Sequence, residues 1–139
     1  MKKLAAALFI LSVSLNFSCK SSKTDDVACT QEYKILNISI TDSASHPVHL
    51  SNYYVKKVAT GEMIDFSMED PYYDSINRIQ GYYCLFTDGK MGMTAKSGTE
   101  FEFHGSLNSV EIVNEKYLIG NDGCHVRLIS GQAVIVIAK

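Results

Sequence analysis

The chain has 139 residues and a formal net charge of −2, with 46% hydrophobic and 20% charged residues. This length predicts one domain, and a chain of this size can bury a real core without metals or disulfides to hold it. The weakly acidic composition lacks the basic patch of a nucleic-acid-binding domain, so we expect no nucleic-acid partner.

The first 18 residues have the layout of a secretory signal. Lys2 and Lys3 form a basic start, and the apolar run from Leu4 to Val13 is too short to span a membrane. The alternative is an N-terminal core helix, but no charged residue makes this run amphipathic. Once Lys2 and Lys3 are removed from the 13 basic residues, 11 remain against 15 acidic ones, which gives a mature net charge of −4.

The next segment resembles the processing site of a bacterial lipoprotein. Ser18 is the small residue before Cys19, and the polar stretch KSSKTDD begins directly after it. The resemblance implies diacylation of Cys19 and membrane anchoring in the bacterial cell envelope, on the periplasmic or surface face of the outer membrane, since two acyl chains anchor stably. The alternative is ordinary cleavage that leaves Cys19 as a thiol. Residues 19–28 are predicted to form a flexible tether and residues 29–139 the folded domain.

Short strand patterns and turn signals fill the rest of the chain. In YKILNISITD, residues Leu36, Ile38 and Ile40 fall on one face, and Phe101 and Phe103 do so in TEFEFHG. Seven or eight such strands predict an all-β fold, specifically a single antiparallel β-sandwich. The other strands are predicted in VHLSNYYVKKV, MIDF, GYYCLFTDG, VEIVNEKYLIG, CHVRLIS and AVIVIA.

Three details of this pattern carry further expectations. The phase of the second strand slips near Asn52, which predicts a bulge. AVIVIA is apolar on both faces, which is typical of a central or doubly covered strand. FSMEDPYYDSINRIQ has no clear period and is expected to be a long loop or one helical turn.

The cysteines predict one disulfide and one free thiol. With Cys19 assigned to lipid, three thiols remain in an oxidising compartment. Cys29 and Cys124 flank strands, and the ends of elements meet bridging distances most easily. We therefore predict a Cys29–Cys124 disulfide, with Cys84 as a small hydrophobic residue inside a strand.

Adjacent tyrosines are the best candidates for a contact surface. They occur as pairs at 53–54, 72–73 and 82–83. One member of each pair in a strand faces outward, and exposed tyrosines make contacts at low entropic cost. Tyr53, Tyr72 and Tyr73 are therefore candidate ligand contacts for a protein or glycan partner. The alternative is ordinary strand composition, because aromatic residues are enriched in sheets.

The sequence lacks the common motifs of catalysis and metal binding. It has no Gly-x-Ser-x-Gly, phosphate-binding loop, dinucleotide fingerprint, Cys-x-x-Cys or His-x-x-x-His pattern. Cys124 and His125 point to opposite faces of a strand, so they do not easily form a nucleophile–base pair. We expect no catalytic residue, no cofactor and no metal. A hydrolase would need Glu100, Glu102 and Glu111 to be brought together by the sheet.

The stretch TDSASHPVHLSNYYVKKVATGEMI resembles the opening of transthyretin-like and carboxypeptidase-regulatory-like sandwiches. In those domains an Asp-ended strand leads through Pro-Val to a Thr-Gly-Glu hairpin. The tail from FEFHG to LISG is similar to that of small lipoproteins without an assigned activity. The resemblance implies a β-sandwich and brings no catalytic residues. The leader, the tether, the strand pattern and the absence of catalytic motifs together predict a non-enzymatic, lipid-anchored envelope lipoprotein that is a binding or accessory module; the alternatives are a glycan- or ligand-binding surface module and a small envelope hydrolase.

Overall fold

The computed structural model describes residues 28–138, so the predicted signal peptide, the lipidation site Cys19 and most of the tether lie outside them. The described part contains eight strands, one α-helix and two 3₁₀ turns. They are β1 (Ile35–Asp42), β2 (Asn52–Lys57), β3 (Met63–Ile64), a 3₁₀ turn (Phe66–Met68), α1 (Pro71–Ile79), β4 (Tyr82–Thr87), a second 3₁₀ turn (Asp88–Met93), β5 (Thr99–Leu107), β6 (Val110–Asn121), β7 (Val126–Ser130) and β8 (Val134–Ile137).

The strands form two sheets, and the fold is mostly β as predicted. One sheet has the order β4-β1-β8 and the other β3-β2-β5-β6-β7. The antiparallel prediction holds for every pairing in the described residues except β1 with β8, which is parallel. The chain passes from β7 in one sheet to β8 in the other, and a strand that changes sheets has no hairpin to reverse it against its new neighbour.

Two further expectations are corrected by the strands themselves. The phase slip near Asn52 is the start of β2 rather than a bulge within a longer strand. The prediction that AVIVIA is central or doubly covered is wrong, since β8 lies at a sheet edge with Val134 and Val136 about 60% exposed. Only Ile135 and Ile137 pack towards the core. An apolar four-residue strand does not reveal by its pattern which of its faces is covered.

Aromatic side chains from both sheets meet in one core. Tyr53 from β2 packs edge-on against Tyr83 from β4 with ring centres 5.2 Å apart, and Phe86 lies 4.7 Å from Phe101 of β5. The rings of Tyr53, Tyr83 and Phe86 belong to the same buried cluster as Phe101, and all four are almost fully shielded from solvent. Burying one such ring stabilises the fold by about 2 kcal/mol, so these contacts hold the two sheets together.

The stretch predicted to be a long loop or one helical turn contains the nine-residue helix α1. Asp70 caps its first turn and Pro71 occupies the first helical position, which are standard helix-start signals. The helix ends before Gly81, whose φ of +75° is the left-handed conformation that closes many helices. A Cβ atom there would lie 2.7 Å from the carbonyl oxygen of Ile40, so glycine is required.

Candidate functional site

A cavity of about 410 Å³ lies beside α1, bounded by the 3₁₀ turn before the helix, strand β4 and the segment that leads into β1. This volume falls at the lower end of the range of small-molecule sites. Its lining combines aromatic rings with carboxylates and is mostly apolar. Residues that line it include Tyr33, Phe66, Asp70, Tyr73, Asp74 and Cys84.

The start of α1 forms one wall of this cavity. The Oδ1 atom of Asp70 accepts a hydrogen bond from the backbone N–H of Tyr73 at 2.9 Å, which satisfies a free donor of the first turn. Tyr73 and Asn77, four residues apart, then lie on one side of the helix and line the cavity with Asp74. The capped helix start therefore fixes where these side chains stand.

Tyr53 forms part of the cavity lining from within the core. Its ring is 1% exposed and stacks 5.5 Å from that of Phe103, so the expectation that Tyr53 faces outward is corrected. The shift of phase before β2 turns Tyr53 inward and Tyr54 away from the core. The Tyr53 hydroxyl donates to Asp74 at 2.5 Å. Burial and this carboxylate raise the pKa of Tyr53 far above its ordinary value, so the phenol stays neutral.

Arg78 holds α1 close to β2 through contacts with Asp74 and with the ring of Tyr53. Its Nε donates to Asp74 Oδ2 at 2.6 Å, and its guanidinium carbon lies 4.9 Å from the centre of the Tyr53 ring. Its Nη1 also donates to the carbonyl of Leu50 at 3.3 Å. Asp74 therefore has one oxygen on a tyrosine and the other on an arginine. This carboxylate is a structural anchor of the cavity wall.

Cys84 lines the cavity as a free thiol, as the cysteine count predicted. Burial, together with the nearby carboxylates of Glu69 and Asp74, raises the pKa of Cys84 to about 12. Because the thiolate is the nucleophilic form, a thiol with this pKa is inert at neutral pH. Cys84 thus contributes apolar surface to the cavity.

Thr87 brings a buried polar group to the cavity. The residue is 4% exposed and lines the cavity, and its hydroxyl has no hydrogen-bond partner among residues 28–138. A buried hydroxyl without a partner costs about 1–3 kcal/mol. Nearby, the hydroxyl of Tyr33 accepts a hydrogen bond from the backbone N–H of Gly89 at 3.0 Å.

The three tyrosines proposed from sequence do not share one surface. Tyr73 is 44% exposed and lines the cavity together with Tyr53. Tyr72 is 78% exposed and is absent from the lining. It shares the outward side of α1 with Ile76 and Ile79, at spacings of four and seven residues. The structure thus brings two of the three together.

A second polar constellation connects the N-terminal segment to β7. The Nδ1 atom of His125 lies 2.7 Å from Asp88 Oδ2, and its Nε2 lies 2.8 Å from the hydroxyl of Thr30. A neutral ring protonated on Nδ1 satisfies both contacts by donating to Asp88 and accepting from Thr30. Asp88 also accepts from the backbone N–H groups of Lys34 and Val126, each at 2.8 Å.

The hydroxyl–imidazole–carboxylate order of Thr30, His125 and Asp88 resembles that of an acyl-transfer triad. The surroundings favour a clamp instead. The predicted Cys29–Cys124 disulfide is present beside it, with a Cα–Cα distance of 5.3 Å. Burial raises the pKa of Asp88, but the hydrogen bonds from His125 and the backbone outweigh burial and lower the pKa overall. The ionised Asp88 and the disulfide together fix the start of the domain.

The outer face of the five-stranded sheet carries a third cluster around His104. This buried ring stacks 4.7 Å from that of Tyr54, and its Nδ1 lies 2.9 Å from Glu111 Oε2. Glu102 approaches its Nε2 at 3.5 Å and pairs with Lys56. The sheet thus brings Glu102 and Glu111 to one histidine, whereas Glu100, near the start of β5, is exposed.

The sequence signals for the cavity were local and modest. The Asp-Pro pair at 70–71 is a readable helix start, and Asp74 with Arg78 has the spacing of a helical ion pair. Thr87 carries no signal, because its importance depends on segments that are distant along the chain.

Comparison with protein-family models, with curated proteins and with solved structures finds no match for the chain. Within residues 28–138, three or more histidine, cysteine or acidic side chains never come together in a way that could hold a metal ion. None of the helices in that range is long and apolar enough to cross a membrane.

Proposed function

We propose that the protein is a non-enzymatic binding module of the bacterial cell envelope, anchored by lipid on Cys19, whose ligand occupies the cavity beside α1. The observation that carries this proposal is the cavity itself, which offers about 410 Å³ of mostly apolar space with three carboxylate side chains in its lining. A pre-formed apolar pocket with a few polar groups is the usual form of a small-molecule site.

The proposed architecture is a β-sandwich of the transthyretin-like kind. Its support is the set of ring contacts between the two sheets, such as Tyr53 with Tyr83, together with the Asp-turn-Pro-Val pattern at the end of β1. In this arrangement α1 covers the region beside β4, and the cavity lies between the helix and the sheets.

A glycan is the second candidate ligand. Tyr73 offers a partly exposed ring for stacking, and Asp70 and Asn77 offer polar atoms next to it. The mostly apolar lining favours a smaller and less polar ligand. The hydrolase alternative has weaker support, because the Cys84 thiol has a pKa of about 12 and Glu111 is engaged by His104.

The anchor is tested by growing cells with labelled palmitate. Wild-type protein should carry label and fractionate with membranes, whereas Cys19→Ala should lose both properties. Cys84→Ser is the matched control, since it also removes a cysteine but should keep the label. Unchanged labelling of Cys19→Ala would overturn the anchor.

The cavity is tested with 2-phenylethanol, a neutral aromatic probe, added to the isotopically labelled folded domain. Amide resonances of residues 69–77 and 84–87 should shift on titration. Asn77→Phe should abolish these shifts by filling the cavity from its wall, while Ile76→Phe, on the exposed side of the helix, should preserve them. Shifts that survive Asn77→Phe, or that arise elsewhere, would refute the proposed site.

A further inference from the structure

The cavity lining is negatively charged. Glu69, Asp70 and Asp74 contribute carboxylates, and none of the lining residues is lysine, arginine or histidine. A buried or half-buried site of one charge sign favours ligands of the opposite sign and repels those of the same sign. The charge of the lining therefore narrows the class of ligand.

Two of the three carboxylates are balanced from outside the cavity. Arg78 pairs with Asp74 at 2.6 Å, and Lys90 pairs with Glu69 at 3.2 Å. The second pair is weaker because both side chains are about 40% exposed. Glu69 can therefore exchange its lysine for a ligand cation at little cost.

Asp70 has no ion-pair partner within the described residues. Its Oδ1 atom accepts from the backbone of Tyr73, and the partial positive charge of the helix start offsets only about half of its charge. The partly exposed ring of Tyr73 and the ring of Tyr33 line the same cavity. Aromatic faces attract cations, so both rings favour a ligand of this charge.

The inner part of the cavity lining is apolar and favours an uncharged part of the ligand. Phe66 is buried, Cys84 is an inert thiol, and Tyr53 has its hydroxyl committed to Asp74. These groups accept an apolar or aromatic body. An anionic amphiphile, such as a fatty acid or a phosphate ester, would meet carboxylates and no basic side chain in this lining.

We propose that the cavity takes a small organic cation, a protonated amine carried on an aromatic or short aliphatic body, with the ammonium group next to Asp70 and Glu69. This inference rests on the proposed function, because it specifies the ligand of the same cavity. The apolar body lies against Phe66 and Cys84.

The test compares three probes with one aromatic body and different charge, namely 2-phenylethylamine, 2-phenylethanol and phenylacetate, at pH 7. We expect the amine to bind about tenfold more tightly than the alcohol and the acid to bind more weakly than both, since charge contacts with the exposed carboxylates of Asp70 and Glu69 each add a few-fold in affinity. Affinities come from the amide shifts of residues 69–77 and 84–87.

A matched pair of variants isolates the charge of Asp70. Asp70→Asn keeps a side chain that caps helices well, and should weaken the amine about three- to tenfold while changing the alcohol less than about twofold. Asp65→Asn is the control, because Asp65 caps the preceding 3₁₀ turn in the same way and does not line the cavity. It should leave all three affinities unchanged.

The outcomes distinguish a failure of the cation preference from a failure of the proposed binding function of the cavity. Equal binding of amine and alcohol, tighter binding of phenylacetate, or equal effects of the two variants would overturn the cation preference and leave the cavity as a binding site. If none of the three probes shifts the cavity resonances of the folded protein, the proposed function falls together with the inference.

Discussion

Thr87 and Thr94 carry the same hydroxyl in opposite situations. The hydroxyl of Thr94 donates to the carbonyl of Met91 at 2.8 Å and accepts from the side-chain amide of Asn121 at 2.9 Å. That of Thr87 is buried without a partner in the described part of the chain. A buried polar atom without a partner costs stability rather than adding to it.

Thr87→Val should therefore leave the free energy of unfolding unchanged or raise it by about 1 kcal/mol, because the variant removes an unsatisfied buried hydroxyl. Thr94→Val should lower it by about 1–2 kcal/mol, since two hydrogen bonds are lost. Urea unfolding of both variants and the wild type measures the difference. A large destabilisation by Thr87→Val would show that its hydroxyl already has a partner.

Tyr83 has a structural task that its neighbour Tyr82 lacks. Its buried hydroxyl accepts from the backbone N–H of Leu50 at 2.7 Å and donates to the carbonyl of Val48 at 2.6 Å. Both backbone groups belong to buried residues, Val48 and Leu50, that precede β2 and lie in no strand. One phenol thus replaces two hydrogen bonds that a sheet would otherwise provide.

Removing the Tyr83 hydroxyl should leave the backbone N–H of Leu50 and the carbonyl of Val48 without this hydrogen-bond partner. We expect Tyr83→Phe to lower the free energy of unfolding by about 2–3 kcal/mol, because the buried donor and acceptor lose their partner. Tyr82→Phe, one residue away and 43% exposed, should change it by less than about 0.5 kcal/mol. Similar effects of the two variants in urea unfolding would contradict this assignment.

At the scale of whole elements, the sequence predicts where strands with regular alternation lie, but not which faces of an entirely apolar strand are covered. Alternation placed Ile38, Ile40, Phe101 and Phe103 on buried faces, because a half-buried strand records its burial in its own period. Strand β8 shows no such alternation, because its exposed valines are as apolar as its inward-facing isoleucines. Helix α1 was missed although Tyr72, Ile76 and Ile79 recur at helical spacing, because these apolar residues face solvent and the spacing therefore does not mark a side that packs on the core.

The disulfide was predictable for a different reason, since its cysteines are few and lie at element ends. It links Cys29 to Cys124 across a separation of 95 residues. Replacing both with serine should lower the free energy of unfolding by about 4–5 kcal/mol in the chain-entropy model, and less if the unfolded chain is compact. Reduction of the wild type should give the same loss. An unchanged urea midpoint in both experiments would refute a stabilising role.

At the scale of the whole molecule, the cavity depends on distant parts of the chain. Tyr33 lies before the first strand, Tyr53 in the second, Asp70 at the helix start and Thr87 at the end of β4. Sequence patterns report local periods and helix caps. They indicated some residues that line this cavity, such as Tyr53 and Tyr73, but not that these residues lie next to one another. The acidic lining of the cavity has the same sign as the net charge of the chain, −2.

The same acidic character makes stability depend on pH in a defined direction. Hydrogen bonds from the backbone N–H groups of His125 and Cys124 lower the pKa of Asp122, and the hydrogen bond from Lys56 lowers that of Glu102. Such carboxylates bind protons less readily in the folded chain than in the unfolded one. Their stabilisation is therefore complete above the unfolded pKa of about 4 and disappears as the pH falls through the folded values.

The urea midpoint should accordingly stay nearly level from pH 7 to pH 5 and fall steadily below about pH 4. Asp122→Asn tests the source of this slope. The variant keeps an acceptor oxygen for the two backbone donors but cannot ionise, so its midpoint should be lower at pH 7 and should converge on that of the wild type near pH 2. A difference between the two proteins that widens as the pH falls would place the acid sensitivity elsewhere, because a protonated Asp122 and an asparagine carry the same charge.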